Sequence, residues 1–278
     1  MRGVRRVRRA ALKTFSCTLL SVLTAITRAV SPGIVHCELT FVPRQPIDLA
    51  KAEQQHGAYQ RLLEKFGARL ISLPAEPQLP DSMFVEDPAI VLEELAVIFP
   101  LGTETRRPEA ASIAQALAKF RKIARVELPG QVEGGDILRV GRRLFVGLSS
   151  RTNLEGIQQL TSITSPHGYE VVSVAVTGCL HLKSAVTYIG RNTLLANRMW
   201  FDTKPFAGHQ WIDVAPEEPH AANALALGDN VIFPASFPLT RARLEAGGFH
   251  VTPIDISELQ KAESGLSCSS LLFDTTQT

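Results

Sequence analysis

Cysteine is scarce in this chain: Cys17, Cys37, Cys179 and Cys268 are the only four in 278 residues, and no two of them form a C-x-x-C pair. That excludes a disulfide scaffold and a structural zinc site, and it points to a reducing compartment, the cytoplasm. An excess of one charge is also missing. Lys and Arg number 29 against 27 Asp and Glu, and the surplus of +2 comes largely from the opening "MRGVRRVRRAALK". A nearly neutral body has no basic face for nucleic acid. No apolar run is long enough to span a membrane; "CTLLSVL" is far too short. With the arginines before it, that run has the shape of an export signal or transit peptide, but no small-residue cleavage site precedes "TAITRAVS". Residues 1–23 are therefore read as an extension with targeting left open, and 24–278 as a single domain.

What the chain does have is a core and a repeat. At 45% hydrophobic and 20% charged residues it suits one large or two small globular domains. Four stretches share one plan, a polar residue opening a strand, a turn and a second apolar strand: "FVEDPAIVLEELAVIFP", "VEGGDILRVGRRLFVG", "LHLKSAVTYIGRNTLLAN" and "PHAANALALGDNVIFPA". Their middles, such as "VGRR", "IGRN" and "LGDN", set Gly beside a polar residue, as tight hairpins require. A helical pattern and a β-branched run follow most of them, so the unit reads strand, strand, helix, strand. An earlier unit has "AITRAVS", the helix "DLAKAEQQHGAYQRLLEKF" and the strand "ARLISLP" but no first strand. The C-terminal "CSSLLF" fills that place, which predicts about five units closed into a ring by pairing of the two chain ends.

In such a ring the residues that open each hairpin converge on the axis: Glu86 and Asp87, Glu133, His181 and Cys268. A cysteine attacks as its thiolate and so wants an imidazolium nearby, which His181 at a strand start, with Lys183 on the same face, supplies. Glu133, followed by two glycines, orients His181 or is a surface-turn carboxylate. Glu86 and Asp87 stand before a proline that fixes their directions. Paired acids in an apolar run need a cation, either a structural one from Arg106 or Arg107 or a substrate guanidinium with its forked donors.

The runs "LPDSMFVEDPAIV", "RRPE", "VEGGD", "FVGLSSRTNLEG", "LHLKSA", "EPHAANALAL" and "SGLSCSSLLF" closely resemble the dimethylarginine dimethylaminohydrolases, guanidine-modifying members of the pentein superfamily, over residues 24 to 273. The resemblance implies an α/β fold, a five-bladed propeller of ββαβ units. It implies Cys268 as nucleophile, His181 as general acid and base, and Glu133 as their carboxylate partner. For substrate binding it implies Glu86 and Asp87 at the guanidinium, Asp81 and the backbone of Leu39 at the α-amine, and Arg106 and Arg151 at the α-carboxylate. It also implies a departure, because Glu263 stands where the family usually has Asp, with consequences for guanidinium positioning. Cys37, two residues before Leu39 in the lid, is either a redox-sensitive thiol or a packed one.

The expected reaction is hydrolysis of Nω-methylated arginine to citrulline and a methylamine through a covalent thiouronium on Cys268, without metal or organic cofactor. Zinc bound adventitiously at Cys268 and His181 would inhibit. The expected partner is a small molecule, with no nucleic acid and no membrane, and with a homodimer left open. Rival readings are an arginine deiminase or another guanidine-modifying pentein, and a non-catalytic pentein that binds a ribosomal subunit or RNA.

Overall fold

The computed structural model describes residues 21–276, and these form five three-stranded sheets. Strands β1 (Ser21–Arg28) and β2 (Arg69–Leu73) join β15 (Leu271–Thr276) in the first. The second holds β3 (Ala89–Val91), β4 (Leu95–Ile98) and β5 (Lys122–Arg125), and the third β6 (Ile137–Val140), β7 (Arg143–Leu148) and β8 (Glu170–Ala175). The fourth holds β9 (Val186–Tyr188), β10 (Thr193–Ala196) and β11 (Gln210–Asp213), and the fifth β12 (Leu225–Leu227), β13 (Asn230–Pro234) and β14 (His250–Ile254). In every sheet an antiparallel hairpin is followed by a parallel third strand, the ββαβ unit. The hairpin turns use left-handed backbone as expected, at Gly141, at Gly190 to Asn192 and at Gly228.

The ring closes through its ends. β15 pairs antiparallel with β1, Ile26 opposite Leu271 and Ser21 opposite Thr276. Two expected boundaries move. The closing strand starts at Leu271 rather than Cys268, and the first strand starts at Ser21, so residues 21–23 belong to the domain; residues 1–20 lie outside the described residues.

Four units carry their crossover helix: α1 (Leu49–Lys65), α2 (Glu109–Leu117), α3 (Leu154–Thr164) and α5 (Pro238–Ala246). Asp48 caps α1 by accepting from Lys51 N at 3.1 Å, and Ala52, Gln55, Tyr59 and Leu63 form its buried stripe. The fourth unit replaces the helix by a single 3₁₀ turn, Lys204–Phe206. The core is divided into five clusters, each shared by adjacent blades. Ala25 and Tyr59 of the first unit meet Ile232 and Ile254 of the fifth, while Ile26 and Phe273 meet Val91 and Ile98 of the second. Every blade thus buries both faces against neighbours, which makes the closure by β15 necessary. No described helix is long and apolar enough to cross a membrane.

Candidate active site

The residues before each first strand reach the axis by short turns. Glu133 precedes the 3₁₀ turn Gly134–Asp136 that leads into β6, and Cys268 lies within the turn Ser267–Ser269 ahead of β15. His181 was expected at a strand start; it instead caps a one-turn helix, α4 (Leu182–Ala185), which leads into β9. Glycine lets the second and third blades meet beneath the site. A Cβ at Gly134 would lie 2.0 Å from the Glu86 carbonyl, so only glycine lets these two blades approach there.

A small cavity of about 20 Å³ is lined by Asp81, Asp87, Arg106, Arg151, His181, Glu263 and Cys268, with Glu38 and Leu180 among the others. His181 Nε2 lies 2.7 Å from Glu133 Oε2, both buried. Burial opposes charge on the imidazole, but Asp87 and the Glu133 hydrogen bond outweigh it and raise its pKa to about 9. Burial works against Glu133 as well, yet His181, Arg106 and Arg151 hold it down at about 2. Cys268 is pushed up to about 12 by burial and then by the nearby Glu86 and Asp87 carboxylates. The site alone therefore holds a neutral thiol beside an imidazolium, not the ready thiolate that the residue types suggested.

Asp87 Oδ2 accepts from Arg106 Nη1 at 3.0 Å, while Asp87 Oδ1 is buried with no partner among the described residues. Arg106 is also forked onto Glu109, with two contacts of 3.0 Å. Arg151 is held more loosely, 3.4 Å from Glu133 Oε1 and 3.0 Å from the Thr40 hydroxyl. Four acidic residues line the cavity, Glu38, Asp81, Asp87 and Glu263, against Arg106, Arg151 and His181, so its lining stays net negative even with His181 protonated.

Several expected binding residues are placed differently. Glu86 does not line this cavity. Its carboxylate takes the Lys183 ammonium and accepts from Ser267 Oγ at 2.8 Å, facing a separate cavity of about 280 Å³, so the acid pair is split by its own cation. The Leu39 side chain packs on the first core cluster, and the neighbouring Glu38 lines the cavity, with the Glu38 backbone N held by Asp81 Oδ2 at 3.1 Å. Glu263 accepts from the backbone N of Thr40 at 2.7 Å and of Phe41 at 2.9 Å. Cys37 is fully buried and its thiol is pushed up to about 11 by burial, which is the packed reading.

Three residues escaped the sequence reading. Glu109 anchors Arg106, and it was visible only as the last letter of "RRPE". Asp136 accepts from Ser149, Thr152 and Leu182 N at 2.6, 2.7 and 2.9 Å and so seats the His181 turn. Asn223 stands two residues before β12, at the place in its repeat that Asp136 holds in the third unit. Its Oδ1 accepts from Leu266 N and Ser267 N at 2.7 and 3.1 Å.

The donor atoms of Asp87, Glu133 and His181 come within 4.8 Å of one another, the one such trio among the described residues, and Cys268 is not a member. Both Glu133 oxygens are already taken, Oε2 by His181 and Oε1 by Gly102 N at 3.0 Å, and Arg106 and Arg151 stand beside them. A dication would sit against two guanidiniums, so the donor set suits proton transfer and an organic cation better.

The arginine deiminase family profile matches residues 75–218. An N(G),N(G)-dimethylarginine dimethylaminohydrolase of Pseudomonas aeruginosa is 39% identical over 228 residues, 81% of this chain and 90% of that protein. One of Streptomyces coelicolor is 35% identical over 248 residues, 89% and 95% of the two chains. A crystal structure of the Pseudomonas enzyme, a cysteine-to-serine variant with citrulline, superposes with a TM-score of 0.86 at 36% identity, covering 91% of this chain and all of that one.

Proposed function

Because the chain belongs to the dimethylarginine dimethylaminohydrolase family of the pentein superfamily, we propose that it hydrolyses Nω-methylated arginine, di- or monomethylated, to citrulline and the corresponding amine. The observation that carries this reading is the free Oδ1 of Asp87, a buried carboxylate oxygen opening on the cavity that Cys268 and His181 share. An orphaned acceptor of that kind is costly unless the ligand brings a donor. A guanidinium brings forked donors and the positive charge that the net-negative pocket lacks.

The same cation answers the problem of the thiol. Two carboxylates help to hold Cys268 at about 12, so a guanidinium placed between Asp87 and Sγ offsets them and favours the thiolate. The thiolate attacks the central guanidinium carbon to give a tetrahedral adduct. His181, charged at neutral pH, gives its proton to the leaving dimethylamine as the C–N bond breaks, leaving a thiouronium on Sγ. The neutral imidazole then takes a proton from water, whose oxygen adds to the same carbon. Cleavage of C–S returns the thiolate while the new hydroxyl loses its proton, through solvent, to the released amine, yielding citrulline and the ammonium form of the leaving group. Glu133 keeps the imidazole oriented and steadies its charged form. The scheme calls on no metal or organic cofactor.

Glu86, tied to Lys183, is left out of guanidinium binding, which falls to Asp87. Arg151 is the freer arginine for the α-carboxylate; Arg106 acts chiefly by holding Asp87 in place. Asp81 and the 38–42 backbone frame the α-amine end. The proposal assigns a small amino acid as partner in the reducing cytoplasm, with neither nucleic acid nor membrane. Light scattering tests the homodimer.

Citrulline formed from asymmetric dimethylarginine by the purified protein, and lost in Cys268→Ser, tests the assignment; turnover surviving that change overturns it. Because the matching family profile carries the arginine deiminase name, free arginine is run beside the methylated substrates. Preference for free arginine would favour that second reading.

A further inference from the structure

We propose that Glu263 is a positioning residue, the latch that holds the 39–42 segment in place at the partition between the catalytic cavity and the chamber beside it and, through Thr40, sets Arg151. The inference rests on the substrate-site reading of that cavity, but the latch itself is open to test without substrate.

The first support is local and internal to this chain. Three helical segments end with paired backbone bonds around a left-handed residue, and in each that residue is glycine. At the end of α1, Gly67 N bonds Glu64 O and Ala68 N bonds Leu63 O. Gly168 and Gly248 repeat the pattern after α3 and α5. The short helix α6 (Ser257–Gln260) ends in the same way, Glu263 N to Gln260 O and Ser264 N to Leu259 O, but the left-handed residue is Glu263, at φ 59°. A side chain there is strained where glycine would be free. Such strain persists where the side chain is needed.

The second support is what that side chain does. Its two oxygens take one backbone N–H each, Thr40 at 2.7 Å and Phe41 at 2.9 Å, across more than two hundred residues of sequence. Thr40 also accepts Arg151 Nη2 at 3.0 Å, and Arg151 reaches Glu133. One carboxylate therefore fixes both the segment and a cavity arginine. Among the described bonds of Thr40 and Phe41, these link the segment to the rest of the site, and both residues are otherwise exposed.

The third support is the space. The catalytic cavity, about 20 Å³, holds about one water molecule and no amino acid. Against it lies a second chamber of about 290 Å³, lined by Phe41, Val42, Cys179, Phe237 and others. Leu180, Glu263 and Ser264 line both, so Glu263 stands in the partition. Substrate is admitted when the carboxylate lets go of Thr40 and Phe41 and the partition opens the cavity into the second chamber.

Glu263→Gly is the informative variant, because it removes the carboxylate while easing the left-handed turn, so folding is preserved or improved. In the free protein, exchange of the Thr40 and Phe41 amides and iodoacetamide alkylation of Cys268, followed by mass spectrometry, should each speed up by about tenfold, as expected for two lost charge-assisted bonds. KM for the methylated substrate should rise more than kcat falls, and Glu263→Gln, which keeps one acceptor, should lie between. Unchanged exchange and alkylation in Glu263→Gly overturn the latch, whatever the activity. Faster exchange and alkylation in a protein that makes no citrulline leave the latch standing and overturn the proposed function instead.

Discussion

Gly135 packs so closely on His181 that a Cβ added there would lie 2.4 Å from Nδ1 of the imidazole. No real contact is that short, so either the ring or the 3₁₀ turn must move. Because Nε2 on the far side of the ring is held by Glu133 at 2.7 Å, moving the ring breaks the pair that charges it. Gly135→Ala should therefore lower kcat by about a hundredfold, the usual penalty for a displacement near 1 Å. A thermal melt run beside the kinetics separates this from unfolding; full kcat in the variant would show that the ring does not need its present seat.

The pH behaviour of the free protein follows from two groups. Cys268 is held up at about 12 and His181 at about 9, so alkylation of the thiol should keep rising through pH 9 and beyond, with no plateau near neutrality. Loss of the imidazolium charge near 9 adds to the rise required. A guanidinium ligand at Asp87 should shift the curve to lower pH. A plateau below pH 8 without ligand would mean that the thiol is already ionised at rest and that the cation has no part in activating it.

Stability carries the same signature. His181 is raised from 6.5 to about 9, so its contribution is fully present below 6.5 and is lost as pH rises through 9. Glu133 is lowered from 4.5 to about 2, so its contribution is present above 4.5 and is lost as pH falls towards 2. The pair stabilises fully between those windows, from 4.5 to 6.5. Melting profiles of the wild type and Glu133→Gln should differ most in that interval, converge as pH falls towards 2, and draw closer without meeting as pH rises through 9, because Arg106 and Arg151 still face Glu133. A difference independent of pH would locate the effect of Glu133 elsewhere.

The ring itself was legible because three units punctuate their hairpins with Gly beside a polar residue, and because the unpaired first unit and the spare last strand had to meet. The opening residues were legible for the same reason, being fixed by repeat position. What the residue types could not reveal is which neighbour from another blade each side chain would meet. Glu86 and Asp87 are adjacent in sequence, yet one turns to Lys183 of the fourth unit and the other to Arg106 of its own. Asn223 went unread because an amide in "PHAAN" has no chemistry of its own; its role exists only through the amides of 266 and 267. Glu263 was read as a possible guanidinium contact, whereas its partners are backbone groups that no sequence motif displays.

The split of the acid pair is testable on stability alone. Lys183 and Glu86 are largely buried and bonded to each other, so Lys183→Met leaves a carboxylate shielded from water with only Ser267 Oγ for company. That should cost about 3 kcal/mol by urea unfolding. The double change Glu86→Gln with Lys183→Met removes both charges and should recover most of it. Were Glu86 a guanidinium ligand, Glu86→Gln alone would raise KM steeply; the present geometry expects the loss to fall on stability.

Asn223 gives the sharpest test of how the nucleophile is held. Its Oδ1 accepts from Leu266 N and Ser267 N, and its Nδ2 donates to Lys183 O and Ser267 Oγ at 3.0 Å each, so one side chain ties the residues just before Cys268 to the fourth blade. Gly265 completes the fit, since a Cβ there would lie 2.4 Å from the Asn223 amide carbon. Asn223→Ala strands two buried N–H groups, at about 1–3 kcal/mol each if unrelieved, and lets the turn carrying Cys268 relax. Asn223→Asp restores the acceptor but loses both donated bonds and sets a second carboxylate near Glu86. Both variants should lose about a hundredfold in kcat, with the alanine variant also melting lower. A fall in melting temperature with kcat intact would show that Cys268 is aimed by β15 alone.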